Sequence, residues 1–227
     1  MSPEPVLVSD GATKAYGDLV ALAPLDLTIG EAERVALVGH NGSGKSTLLR
    51  LVTGLIELSD GSIDVVGEPA GAPDARAAVS YVPDEPVLYD DLSVREHMAY
   101  VAALHGVDAD LDDIDELLDR LGLIDRGDDL PARFSRGLRQ KTSIAVGLLR
   151  PFQLLLVDEP FVGLDAPGKA AMLELLDEAH EDGAAVVVAT HDPAYVERVD
   201  RCLALRDGEL VHDGPATPAD VLALVGH

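Results

Sequence analysis

A chain of 227 residues with 47% hydrophobic side chains is long enough to bury one large core or two small ones, so a folded, enzyme-sized unit is the expectation. Forty-one acidic residues, 27 of them Asp, stand against four Lys and 13 Arg, and the formal net charge of −24 disfavours nucleic acid or anionic lipid as the main partner. No apolar run approaches the ~20 residues of a membrane helix, the opening "MSPEPVLVSD" lacks the pattern of a signal peptide, and one cysteine excludes an internal disulfide, so a cytoplasmic protein is expected.

In chain order, "LDLTI" (25–29) and "SIDVV" (62–66) alternate in hydropathy and predict an antiparallel flap. Between them "RVALV" (34–38) reads as a strand buried on both faces that runs straight into "GHNGSGKST". Gly39, His40, Asn41, Gly42, Ser43, Gly44, Lys45, Ser46 and Thr47 match the phosphate-binding pattern G-x-x-x-x-G-K-[ST] ahead of the helical "TLLRLV". Glycines let backbone N–H groups close around phosphates, Lys45 neutralises the terminal ones, and Ser46 offers a hydroxyl to Mg2+. A Gly-rich turn that binds nothing is the plain alternative, and the strand-loop-helix context weighs against it.

From Pro83 to Pro151 the pattern turns helical. In "DDIDELLDRLG" (112–122), Ile114, Leu117, Leu118 and Leu121 fall at i, i+3, i+4, i+7, and Gly122 is a stop signal. "RFSRGLRQK" (133–141) then holds four of the seventeen basic residues. With Ser135 capping a helix that starts at Arg136, the cations oppose the helix dipole, so the stretch is either a solvated face or faces an anion. "LLLVDEP" is a buried strand that ends in Asp158, suited to Mg2+, and Glu159, placed to activate an attacking water. "AVVVATHD" ends in His191, a partner for the terminal phosphate or the water in that company and a structural histidine by itself. The strands at 34–38, 154–157 and 185–189, each followed by a helical pattern, predict a parallel sheet. Cys202 in "RCLAL" reads as a packed thiol.

Taken together, "GHNGSGKST", "FSRGLRQK", "LLLVDEP", "GLD" (163–165) and "THD" (190–192) resemble, in order and spacing, the P-loop, signature, Walker B, D-loop and H-loop of an ATP-binding cassette (ABC) ATPase, over almost the whole chain. "YVPDEPVLYDDLSVREH" and "DEPFVGLD" are similar to exporter ATPases of the Ecs type and drug-efflux subunits. The resemblance implies an α/β P-loop NTPase fold with a mixed, mainly parallel sheet, an antiparallel β flap and an inserted helical subdomain. Residues 1–227 would form one ABC ATPase domain, with a RecA-like core and β subdomain at about 1–83 and 151–227 and a helical subdomain at about 84–150. It implies ATP and Mg2+, Tyr16 stacked on adenine (a hairpin tyrosine otherwise), and Ser135, Arg136, Gly137 and Asp165 at the nucleotide.

The same resemblance implies a homodimer that sandwiches two ATP molecules and drives a separate integral membrane permease, as an exporter, from the cytoplasmic side of the membrane. The permease would dock near residues 84–104, where Tyr89, Leu92, Val94 and Met98 are either groove or core. Two motifs depart from the family pattern. The signature reads Phe134, Ser135, Arg136, Gly137 in place of Leu-Ser-Gly-Gly, and the glutamine that reaches Mg2+ and the water falls at Asp84. The implied catalytic set is Glu159, His191 and Asp84; the implied metal set is Ser46, Asp158 and Asp84. The rival classes are a soluble ABC ATPase acting mechanically on ribosome or DNA, disfavoured by the acidic surface, and a P-loop kinase, which lacks the signature. For the 27 aspartates, adaptation to molar salt competes with a GC-rich genome as the explanation.

Overall fold

The structure, a computed structural model, describes residues 5–225. It opens with two long antiparallel strands, β1 (Pro5–Tyr16) and β2 (Leu19–Gly30), followed by β3 (Arg34–Val38), helix α1 (Lys45–Val52), β4 (Asp60–Val65), the short β5 (Glu68–Pro69), α2 (Pro73–Ala78) and β6 (Val79–Val82). Helices α3 (Val94–Leu104), α4 (Leu111–Arg120) and α5 (Arg136–Leu148) come next. The chain returns through β7 (Leu154–Asp158), α6 (Ala166–Glu181), β8 (Ala185–Ala189), α7 (Pro193–Val196), β9 (Arg201–Arg206), β10 (Glu209–Gly214) and α8 (Pro218–Val225).

Two sheets result. One is antiparallel with order β2-β1-β4-β5; the other has order β10-β9-β3-β8-β7-β6. In the second, β3, β6, β7, β8 and β9 pair in parallel, and only β10 runs antiparallel, through a hairpin. Asp207 (φ 50°) and Gly208 (φ 84°) turn that hairpin, the left-handed pair that matches the twist of the flanking strands. The expected strand at 25–29 lies inside β2, and that at 62–66 is β4 displaced by one or two residues, its end set at Val65 because Val66 turns left-handed with φ 49°.

The parallel strands explain the two cores. Successive side chains on a strand point to opposite faces. Val35, Leu37, Leu154, Leu156, Val187 and Leu205 therefore pack with the antiparallel sheet and α1. Ala36, Val38, Leu155, Val157, Val186, Val188 and Cys202 pack with the helical layer on the other side. Burial pushes the Cys202 thiol up to about 11, as expected of a packed group.

The helical segment leaves the sheet after β6 and returns at β7, which is the strand beside it. Its helices start on their own side chains. Ser93 and Glu96 form a capping box on α3, and Asp110 and Asp113 form one on α4. Helix α4 buries Ile114 and Leu118 and stops before Gly122 at φ 67°, as its periodicity predicts. Ser135 caps α5 by accepting a bond from the Leu138 amide. The four residues weighed as groove or core divide: Val94 and Met98 are fully buried, Leu92 is half-buried and Tyr89 is exposed. Tyr89 packs edge-on to Tyr100 and takes its fixed position from its amide, which donates to Nε2 of buried His97.

Candidate functional site

The loop from Gly39 to Gly44 joins the end of β3 to α1, and its backbone demands glycine. A Cβ on Gly39 would lie 2.3 Å from Ser43 Oγ and 2.4 Å from the Leu205 carbonyl, and Gly42 (φ 85°) and Gly44 (φ 107°) are left-handed. Gly44 is the N-cap of α1 and brings no side-chain cap, so the first-turn amides of this helix are left to a ligand. Ser43 Oγ is buried and has no hydrogen-bond partner among the described residues. Lys45, 7% exposed, folds back over the loop and donates from Nζ to the Gly39 carbonyl at 2.7 Å. A buried ammonium that bonds only neutral oxygens and lies 4.0 Å from Glu159 Oε1 is poised for a stronger anion.

A cleft of about 200 Å³ opens over this loop and is also lined by Ala21, Asp84, Asp158 and Glu159. Asp158 is the buried last residue of β7; burial raises its carboxyl above the usual aspartate range, while a hydrogen bond with Ser46 pulls the other way. Glu159 follows in the left-handed region (φ 48°), tied by its amide to the Ala189 carbonyl at 2.8 Å. Such strain in a residue with a Cβ collects at working sites. Burial raises its carboxyl too, opposed by His191 and Lys45. His191 Nδ1 stands 3.4 Å from Glu159 Oε1.

The remaining expected residues are elsewhere. Tyr16 is half exposed with the Lys14 ammonium 4.9 Å over its ring, and His40 faces Asp207 at 3.4 Å. Ser135, Arg136, Gly137 and Asp165 do not line the cleft of their own chain. Gly137 is pressed against the 163–165 loop, where a Cβ would come 2.4 Å from the Gly163 carbonyl. Asp165 caps α6 through the Gly168 amide and pairs with Lys141 Nζ at 3.0 Å, and both contacts hold its carboxyl below the usual range.

"RFSRGLRQK" divides between the two readings: Arg133 and Arg136 are exposed, Arg136 pairing with Asp84 at 2.9 Å, while Arg139 donates to the Pro131 and Pro86 carbonyls and Lys141 is buried on Asp165. The pinning role of Lys141 was missed because a lysine in a basic run gives no sign of being buried; its spacing of five from Arg136, off that residue's face, is the only hint.

The donor set fits a nucleoside triphosphate, with its glycine cradle, orphan Ser43 hydroxyl and buried Lys45. It fits Mg2+ as well, through Ser46 and the buried Asp158. Among the described residues no group of three His, Cys, Asp or Glu could hold a metal alone, so a metal here would share its shell with phosphate oxygens.

A phosphate loop between a buried parallel strand and a helix, with paired acids at a neighbouring strand end, defines a P-loop NTPase of the α/β class. Within that class the match is specific: residues 22–162 fit the ABC transporter family model, and the chain belongs to that family, as an ATP-binding domain. It is 36% identical over 228 residues to the Macrolide export ATP-binding/permease protein MacB 1 of Aeromonas hydrophila, which covers 95% of this chain but only 35% of the relative's length. It is 35% identical over 203 residues to the ABC-type transporter ATP-binding protein EcsA of Bacillus subtilis, covering 87% of this chain and 82% of the relative. A solved ATP-binding cassette, dimeric in a post-hydrolysis state with ADP and Pi, superposes with a TM-score of 0.84 at 25% identity, covering 92% of this chain and 98% of that one.

Proposed function

We propose that the chain is the ATP-hydrolysing subunit of a transporter, working as a homodimer on the cytoplasmic face of a membrane and driving a separate permease in the export direction. The observation that carries the reading is Lys45, a buried cation bonded to loop carbonyls and facing Glu159 across the cleft. When ATP enters, the ammonium exchanges the Gly39 carbonyl for the terminal phosphates, and the free first-turn amides of α1 close on them. Tyr16, half exposed at the end of β1, is read as offering its ring to the base. Ser46 and Asp158 would hold Mg2+, which when bound supplies positive charge to the terminal phosphates. Glu159 Oε1 takes the proton of the attacking water, and its raised basicity suits that task. His191 orients that carboxylate from Nδ1.

Ser135 and Gly137 do not line their own cleft and are read as the half-site that a second copy presents, a reading supported by the dimeric cassette this chain resembles in fold. Export is supported by the name of the MacB relative. No helix of the described residues is long and apolar enough to cross a membrane, which fits a peripheral subunit. The permease-facing surface is an open groove of about 470 Å³ between the loop after β6 and α5, lined by Val87, Leu88, Leu55 and Val146. The division into a nucleotide-binding body and the helical segment 84–150 belongs to the same proposal.

The test is phosphate release from Mg-ATP with no acceptor added. Release by the wild type, lost in Lys45→Ala, is expected; nucleotide consumption that requires a small-molecule acceptor would mark a kinase and sink the reading.

A further inference from the structure

Two of the positions where the sequence departs from the ABC pattern, Asp84 and Arg136, lie 52 residues apart and meet: Arg136 Nη2 donates to Asp84 Oδ1 at 2.9 Å. We propose that Arg136 is a positioning residue for the ATP cleft, holding the Asp84 carboxylate at the cleft mouth and so tying the loop after β6 to the first turn of the signature helix α5 in the same chain. The proposal deepens the ATP reading and rests on it.

Each partner has a reason to need the other. Asp84 lines the cleft beside Asp158 and Glu159, so three acids there share one lining cation, Lys45. An unpaired third carboxylate would repel an incoming polyphosphate. Arg136, for its part, occupies the first turn of α5, where no acid is present and where a cation opposes the helix dipole. Pairing answers both demands. The loop is held at a second point one turn along the same helix, where Arg139 donates to the Pro86 carbonyl at 3.3 Å. The side chains of Arg136 and Asp84 are 58% and 41% exposed, so solvent weakens the pair and a modest effect is expected.

The experiment is a double-mutant cycle on the full chain, with Arg136→Gln, Asp84→Asn, the double variant and Arg136→Lys, reading the affinity of trinitrophenyl-ATP without Mg2+ at 0.1 M and 1 M KCl. Arg136→Gln weakens binding about threefold at the lower salt, the double variant returns to the Asp84→Asn value, and Arg136→Lys keeps most of the wild-type affinity. The coupling fades at 1 M, where the Debye length falls from about 10 Å to about 3 Å. Melting temperatures of the nucleotide-free variants are read alongside. Singles that add in the double, coupling equal at both salts, or coupling seen in melting temperature alone each overturn the positioning role. A wild-type chain that does not bind the analogue overturns the ATP reading, and this proposal with it; a wild type that binds normally with additive variants overturns this proposal alone.

Discussion

The phosphate loop and the signature helix use the same local devices and leave them in opposite states. At α5 every charged group of the first two turns is already answered within the chain: Ser135 caps the helix, Arg136 meets Asp84, Arg139 meets two carbonyls and Lys141 meets Asp165. At α1 the cap is a bare glycine, the Ser43 hydroxyl is buried without a partner, Lys45 settles for carbonyls, and Glu159 is held at φ 48°. The difference is one of charge: the cations of α5 are partnered within the chain, although Gln140 Nε2 of the same helix is buried without a partner among the described residues, whereas the cation of α1 faces an open cleft. At the phosphate loop the unmet Ser43 hydroxyl and the bare helix start lie where a ligand is to arrive, and leaving a buried polar group unsatisfied costs stability.

The most severe way to break the comparison is to remove the proton acceptor. Glu159→Gln keeps shape and burial but cannot accept a proton, so turnover falls by about 10²- to 10⁴-fold, while ATP affinity stays close to wild type and an ATP-bound dimer accumulates in size-exclusion chromatography. Lys45→Ala acts one step earlier. It deletes the buried cation, and ATP affinity falls on the order of 100-fold, measured by titration calorimetry, with no dimer trapped.

A mixing experiment sharpens the contrast between the two helices. Lys45→Ala and Ser135→Arg each give an inactive homodimer, but in a mixed dimer both defects fall in one composite site and the other site is intact. Up to about half of the wild-type phosphate release per mixed dimer returns if the sites fire independently. Trapping of photo-crosslinkable ATP in one site covers the case in which both must fire. The absence of both, with folded variants, would mean that Ser135 serves its own chain.

The smallest effect concerns completeness at α5. A carboxyl whose folded value is depressed contributes stability above its ordinary value, 3.8 for aspartate, and loses the contribution as pH falls through the folded value. Asp165→Asn is therefore less stable than wild type at neutral pH, and the gap in melting temperature closes below pH 4. A gap that persists in acid would assign the loss to the Gly168 cap rather than to the Lys141 pair.

How much of this was legible in the sequence follows from the range of each interaction. The buried strands, the α4 stripe and the phosphate loop are local patterns whose period or spacing is their structure, and β3, α4 and the 39–47 loop stand where the pattern puts them. The paired acids at 158 and 159 were readable for the same reason. The Asp84–Arg136 and Lys141–Asp165 pairs were not, since they join residues 52 and 24 positions apart across a fold that no local rule supplies. The sequence showed an arginine and an aspartate out of pattern but carried no sign that they meet. Tyr89, Leu92, Val94 and Met98 stayed ambiguous because exposed and buried apolar residues look alike until the helix is docked.

The left-handed backbone at Glu159 has an implication for anyone evolving this chain in the laboratory. A residue with a Cβ in that region gives up about 1 kcal/mol relative to glycine, and a half-buried carboxylate adds a desolvation cost. A library screened for heat resistance alone would thus be drawn toward glycine at position 159, relaxing the strand end and erasing turnover in one step. Screens that alternate heat challenge with an activity gate would hold the glutamate in place, and the frequency with which glycine returns when the gate is lifted would measure how strongly function resists stability at this single position.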